Sequence, residues 1–167
     1  MQVCVLGATG FIGGAVARAA VQRGWQVRAL RRRPNATGAL EELADEVEWI
    51  PGVLEDDEAL LKAMEGCDAV FHTAGYYPAS YATMQEHLAR AAAQTQQVLA
   101  VFGRSDAGRL VYTSSLTTIG PPGERGRLAD ERDVYPPGSE RTSPYYECKA
   151  LMEALVLGAA IDGLDTV

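Results

Sequence analysis

Tyr145 and Lys149 stand four residues apart near the start of an apolar, helix-forming run, so both project from one helix face. A phenol is a poor base near neutrality, and an adjacent ammonium stabilises the phenolate. Such a pair can exchange a proton with a hydroxyl or carbonyl oxygen. The chain has two lysines, Lys62 and Lys149, against thirteen arginines, which makes a chance Tyr/Lys pair less persuasive. A second group of hydroxyls, Thr113-Ser114-Ser115, closes a short β-like run, where one of them could bond the substrate oxygen opposite Tyr145. Alone, that group would serve equally well as a strand end with local backbone bonds.

Two further patterns point to a phosphate-bearing ligand. Gly7-Ala8-Thr9-Gly10-Phe11-Ile12-Gly13 lies between a predicted strand and a predicted helix. In that context Gly7 turns the chain, Gly10 admits a pyrophosphate to the backbone, and Gly13 lets helix and strand approach. The free N–H groups of the helix N-terminus would face the phosphates. The spacing is G-x-x-G-x-x-G and not G-x-G-x-x-G, so the glycines alone would also suit an ordinary tight turn. The next predicted strand ends in Leu30-Arg31-Arg32-Arg33 with no acid. An acid at this point would bond a ribose 2′-hydroxyl, whereas a guanidinium suits a 2′-phosphate. The cofactor expected is therefore NADP, with NAD as the alternative, and a solvated charge run is the plainer explanation of the arginines.

The elements that must hold these groups follow from periodicity. Strands are expected at Gln2–Leu6, Gln26–Leu30, Val47–Ile50, Ala69–His72 and Arg109–Thr113. Helices are expected at Phe11–Arg23 (ended by Gly24), Leu40–Asp45, Asp56–Glu65, Met84–Phe102 and Pro144–Ala160. Alternating strands and helices imply right-handed βαβ units. The fold class is thus α/β, a doubly wound parallel sheet of Rossmann type with order 3-2-1-4-5. Leu164–Val167 reads as a truncated sixth strand. Gly120–Ser143 loses all periodicity, and a stretch of that kind is more often functional or disordered than a plain connector.

Composition narrows the class. The 167 residues fit one domain with a real core, and a net charge of −7 argues against nucleic-acid binding. No run is long and apolar enough to span a membrane, and Met1–Ala20 lacks a basic n-region and is cut by glycines. A cytoplasmic protein acting on a small molecule is expected, with homo-oligomerisation left open. Cys4, Cys67 and Cys148 are odd in number and without metal-ligand spacing, so no metal is expected.

Taken together, GATGFIG near the N-terminus, VFHTAG after the fourth strand, LVYTSS at the fifth and SPYYECK resemble the extended short-chain dehydrogenases/reductases. Within that group the chain is similar to the epimerase/dehydratase and dihydroflavonol-reductase-like proteins. The resemblance runs in register from residue 1 to 167. It implies a Ser-Tyr-Lys catalytic group: Ser115 (with Ser114 as fallback) polarising the substrate oxygen, Tyr145 as acid/base and Lys149 holding the ribose. It also implies that Gly7, Thr9, Gly10, Phe11, Ile12, Gly13, Arg31, Arg32, Leu54, Ala74, Gly75, Tyr145 and Lys149 line the cofactor. The double-Arg tip resembles the NADPH-dependent reductases more than the NAD-bound sugar epimerases, which usually carry Asp at the place of Arg31.

Two positions depart from the pattern. Gly52-Val53-Leu54 replaces Gly-Asp-Leu, and Ala91–Thr95 replaces N-x-x-G-T. The chain is also about half the family's usual length. It is therefore expected to form an NAD(P)-binding domain over 1–167 without the C-terminal half that builds most of the substrate pocket. The leading expectation is NADP-dependent hydride transfer between an alcohol and a ketone. The rivals are a nucleotide-sugar epimerase or dehydratase that retains NAD, and a nicotinamide-binding regulatory module without turnover.

Overall fold

A computed structural model describes residues 1–79, 81–138 and 143–167. Its sheet has five parallel strands: β1 (Gln2–Leu6), β2 (Gln26–Arg31), β3 (Val47–Pro51), β4 (Ala69–His72) and β5 (Arg109–Tyr112). Their order is β3-β2-β1-β4-β5, as the alternation of elements predicts. The order reverses beside β1, and that switch point opens a crevice at the carboxyl ends of β1 and β4.

Both faces of the sheet are covered, as parallel sheets require. On one face lie α2 (Asp57–Met64), α3 (Met84–Phe102) and α4 (Pro144–Ile161), packed on Cys4, Leu6, Leu30, Ile50, Val70 and Leu110. On the other, α1 (Phe11–Gln22) and a 3₁₀ segment (Gly38–Glu46) cover Val3, Val5, Val27, Ala29 and Val47. The strand residues in these two groups alternate, so each strand divides its side chains between two cores.

Capping explains where the helices begin. Asp56 accepts from the Ala59 N–H at the start of α2. Thr83 and Glu86 form a reciprocal capping box at α3, and Ser143 caps α4 ahead of Pro144. Helix α1 differs: its N-cap is Gly10, which supplies no side-chain bond. The segment Gly38–Glu46, expected as a short α-helix from Leu40, is a 3₁₀ segment kinked at Leu40 (φ −105°, ψ 20°), whose side chain is fully buried.

Leu164–Val167 lies beside β5 with one parallel bridge, Leu110 to Thr166. The Leu110 N–H donates to Asp165 O (2.9 Å) and the Tyr112 N–H to Val167 O (2.7 Å). The expected short sixth strand is therefore present as a single bridge. The described part of the irregular stretch, 120–138, folds back on itself. Ile119 bridges Val134 antiparallel, Arg127 pairs with Asp130 and Asp133, and Glu147 accepts from Tyr135 Oη (3.0 Å) and Gly138 N (2.8 Å). Residues 139–142 lie outside the described residues.

Candidate functional site

The crevice at the carboxyl edge is a cleft of about 560 Å³ lined by Gly7, Thr9, Arg32, Val53, Leu54, Glu55, Ala74, Gly75 and Tyr77, among others. Its floor is the turn after β1. Gly7 adopts φ +96°, a conformation costly for any side chain, and the Gly10 N–H returns to Gly7 O at 2.8 Å. A Cβ on Gly13 would stand 2.2 Å from Gly7 O, so α1 meets the turn without any side chain between them. The uncapped first turn of α1 leaves N–H groups without a side-chain acceptor, a ready site for an anion. Phe11 is 94% exposed and Ile12 is half exposed, two apolar side chains standing at the mouth of the turn.

At the tip of β2, Arg32 lines the cleft while Arg31 lies on the opposite face of the strand. The Arg31 Cζ sits 5.2 Å from the centre of the Trp49 ring. Neither arginine pairs with a carboxylate among the described residues, whereas Arg18, Arg28, Arg104, Arg109, Arg127 and Arg132 each do. Gly38, at φ +58°, closes against Thr9, so the chain beyond β2 returns to the glycine turn.

Beyond β4, the residues Ala74 and Gly75 form the other wall. A Cβ on Gly75 would lie 2.9 Å from Lys149 Nζ, so the ammonium occupies the space that a side chain would take. Lys149 Nζ is 6.0 Å from the Tyr145 ring centre, and Tyr145 packs against Tyr77 at 5.2 Å and Tyr146 at 6.2 Å. Helix α4 thus sets the predicted pair behind Gly75 and Tyr77, two residues of the cleft lining. Beneath it, His72 and Tyr112 are buried with ring centres 5.6 Å apart. Their Nδ1 and Oη atoms have no hydrogen-bond partner among the described residues. Burial, aided by the nearby Lys149 charge, pushes His72 down to about 4. Burial, with Glu153 and Tyr145 adding to it, raises the Tyr112 phenol above its ordinary range.

The three hydroxyls after β5 have separate fates. Ser114 donates to Glu153 Oε2, and Thr118 donates to the same oxygen at 2.9 Å. Ser115 caps a 3₁₀ turn (Leu116–Thr118), accepting from Thr117 N at 3.3 Å and Thr117 Oγ1 at 2.9 Å. Ser114 thus has a carboxylate on its hydroxyl, whereas Ser115 has only its neighbour Thr117 among the described residues. Both border a second cavity of about 870 Å³, walled by Leu116, Ile119, Val134, Leu151 and Leu157, with the carboxylates Glu131, Glu147 and Glu153 among its described lining residues.

A glycine turn feeding an uncapped helix, a cation-tipped second strand and a Tyr/Lys pair over the same crevice form one constellation. The model of the NAD dependent epimerase/dehydratase family matches residues 3–166. The chain belongs to that family. Among its relatives, a Synechocystis sp. protein named for dihydroflavonol 4-reductase is 35% identical over 98% of this chain and 46% of its own length. The 2-alkyl-3-oxoalkanoate reductase of Stenotrophomonas maltophilia is 36% identical over 100% of this chain and 49% of its own. A solved short-chain dehydrogenase/reductase superfamily protein from Agrobacterium tumefaciens, with bound NAD, superposes with a TM-score of 0.77 at 29% identity. That match covers 100% of this chain and 48% of the other. The chain spans about half the length of the curated relatives it matches.

The chain's fold and its family agree with the sequence reading. Among the described residues no cluster could hold a metal ion, and no helix is long and apolar enough to cross a membrane. All three cysteines are buried and unpaired. The sequence reading missed Glu153, Glu147, Trp49 and the buried pair His72 and Tyr112. Only Glu153 carried a local signal, one further turn along the face of Tyr145 and Lys149.

Proposed function

We propose that residues 1–167 form the NADP-binding domain of a reductase that moves hydride between NADP(H) and an alcohol/ketone pair. The observation that carries this reading is the seat of Lys149 against Gly75, with Tyr145 beside it behind the cleft wall. The residues suit a dinucleotide: a Cβ on Gly7 or Gly13 would collide with backbone and Thr73, and the first turn of α1 offers free N–H groups. Gly7, Thr9, Gly10, Phe11, Ile12 and Gly13 would hold the pyrophosphate. Arg32 from the cleft and Arg31 from the Trp49 side of the strand end would take the 2′-phosphate between them, and Leu54, Ala74 and Gly75 would flank the adenosine and nicotinamide sides. The cofactor supplies the hydride chemistry.

The chain's own groups then do the remaining work. Tyr145 passes its phenolic proton to the carbonyl oxygen being reduced, or takes it back in the reverse direction. Lys149, seated against Gly75, would hold the ribose. Ser115 directs its hydroxyl at the substrate oxygen and keeps the carbonyl aligned with Tyr145. The apolar cavity beside Ser115, whose charged lining groups among the described residues are carboxylates, suits an uncharged, apolar ketone better than a sugar carrying a diphosphate.

The test is a titration of the chain with NADPH and with NADH, followed by cofactor fluorescence. A charge-assisted contact of about 1.5–3 kcal/mol corresponds to tighter NADPH binding by on the order of tenfold or more. Equal affinities would overturn the NADP assignment.

A further inference from the structure

We infer that Trp49 is a specificity-determining residue, which fixes Arg31 and through it the preference for a 2′-phosphorylated adenine dinucleotide. The inference rests on the reading of the β2 tip as an NADP site. The register pairs Ala29 with Trp49 and Arg31 with Pro51, so Trp49 lies diagonal to Arg31 on the same face of the sheet. The indole N–H donates to Ala44 O at 3.0 Å, which fixes the plane of the ring from the 3₁₀ segment. The Arg31 guanidinium lies over that ring at 5.2 Å, within reach of a cation–π attraction.

The electrostatics of Arg31 mark it as waiting for a partner. Its Nε is buried and has no hydrogen-bond acceptor among the described residues. No carboxylate among them pairs with it, in a chain whose net charge is −7 and in which Arg18, Arg28, Arg104, Arg109, Arg127 and Arg132 each take an acid. A guanidinium that has lost part of its hydration without gaining a counter-ion is unfavourable by itself. The aromatic face compensates in part, and an anion at the outer N–H groups would complete the compensation. A free arginine also loses rotamer entropy when a ligand orders it. Stacking on a ring that is itself held by Ala44 removes much of that loss in advance.

This arrangement separates two roles. The glycine turn and the first turn of α1 serve any dinucleotide, because the pyrophosphate is common to all. Trp49 shares a core cluster with Ala8 of that turn, but its indole N–H donates to Ala44 O, and it acts on the 2′-phosphate through Arg31. Replacing the ring should therefore weaken the bond to the 2′-phosphate and leave the rest of the ligand's contacts alone. A residue that merely packs the core would weaken both cofactors together.

The experiment titrates NADPH and NADH, by their own fluorescence, into the parent chain and into Trp49→Leu, Trp49→Phe, Arg31→Ala and the double variant Trp49→Leu/Arg31→Ala. Trp49→Leu is expected to lower the NADPH-over-NADH affinity ratio about fivefold, with NADH affinity unchanged. Trp49→Phe, which keeps a weaker aromatic face, should lower the ratio about twofold. In the Arg31→Ala background the Leu substitution should add nothing to the ratio. Equal weakening of both cofactors, an unchanged ratio, or the same drop without Arg31 would each overturn the inference. If Trp49→Leu does not fold, Trp49→Phe with and without Arg31→Ala decides by the same criteria. A parent chain that binds both cofactors equally overturns the NADP reading and this inference with it. A discriminating parent whose ratio survives the loss of the ring overturns this inference alone.

Discussion

Gly13 and Gly14 are neighbours in the first turns of α1, both buried, and the structure assigns opposite outcomes to the same substitution at each. An alanine Cβ at position 13 would lie 2.2 Å from Gly7 O, 2.5 Å from Gly7 C and 2.5 Å from Thr73 Oγ1. Two of those atoms are backbone of the turn that follows β1, and Thr73 Oγ1 is tied to Leu6 O at 2.7 Å. Nothing nearby can yield by rotating a side chain. At position 14 the closest atoms are Ala8 O at 3.3 Å and Ala39 Cβ at 3.6 Å, a firm but nearly ordinary approach.

The magnitudes follow from two opposing effects. Inside a helix, Gly→Ala gains about 1 kcal/mol from backbone entropy. Overpacking a tight site costs about 1–3 kcal/mol, and a clash against backbone belongs at the upper end. Gly13→Ala should then lose about 2 kcal/mol net, and Gly14→Ala should stay within about 1 kcal/mol of the parent. In a domain of this size that separation is on the order of 4–8 °C in Tm. Urea unfolding of the parent and both variants, read by circular dichroism, measures it directly. Displacement of α1 from the turn should also cost Gly13→Ala most of its dinucleotide affinity. If the two variants share one midpoint, or if Gly14→Ala is the less stable, the tight seat of Gly13 against the turn is not what limits substitution there.

Two other perturbations follow from buried polar groups. His72 is held near 4, below the ordinary value of 6.5, so the unfolded chain takes up this proton first as pH falls. Its contribution to stability is complete above about pH 6.5 and is lost progressively towards pH 4; His72→Phe should flatten the decline by about 2 kcal/mol between pH 7 and 5, and parallel curves for the two proteins would refute the assignment. Glu147→Ala removes the acceptor shared by Tyr135 Oη and Gly138 N, at a cost of about 1–3 kcal/mol. Trypsin should then cut sooner at Arg127 and Arg132 while Glu147→Gln stays protected, and unchanged cleavage would show that this carboxylate does not anchor the segment.

Much of this protein was legible in its sequence because the relevant signals are local. Strand and helix periods, together with Gly7, Gly10 and Gly13 after QVCVL, specify the βα turn within a dozen residues. The absence of an acid at Arg31-Arg32-Arg33 is read from one strand end, and Tyr145 and Lys149 share a helix face by spacing alone. Sheet order followed because right-handed crossovers leave few arrangements for such an alternation.

What only the tertiary structure decided are relations between distant residues, where register and packing choose among chemically similar candidates. Ser114 and Ser115 are alike in sequence. Glu153, 39 residues from Ser114, accepts a hydrogen bond from one and not from the other. Arg31 and Arg32 are alike too, yet the strand alternation turns one into the cleft and lays the other on Trp49, a neighbour set by the pairing of β2 with β3. The stretch after Ile119 has no period to read, and its described part, 120–138, is held by the Ile119–Val134 bridge, the Arg127 ion pairs and Glu147 on a helix that follows it in the chain. A side chain's type is written in the sequence, but its hydrogen-bond partner depends on which segments the fold brings within about 3 Å.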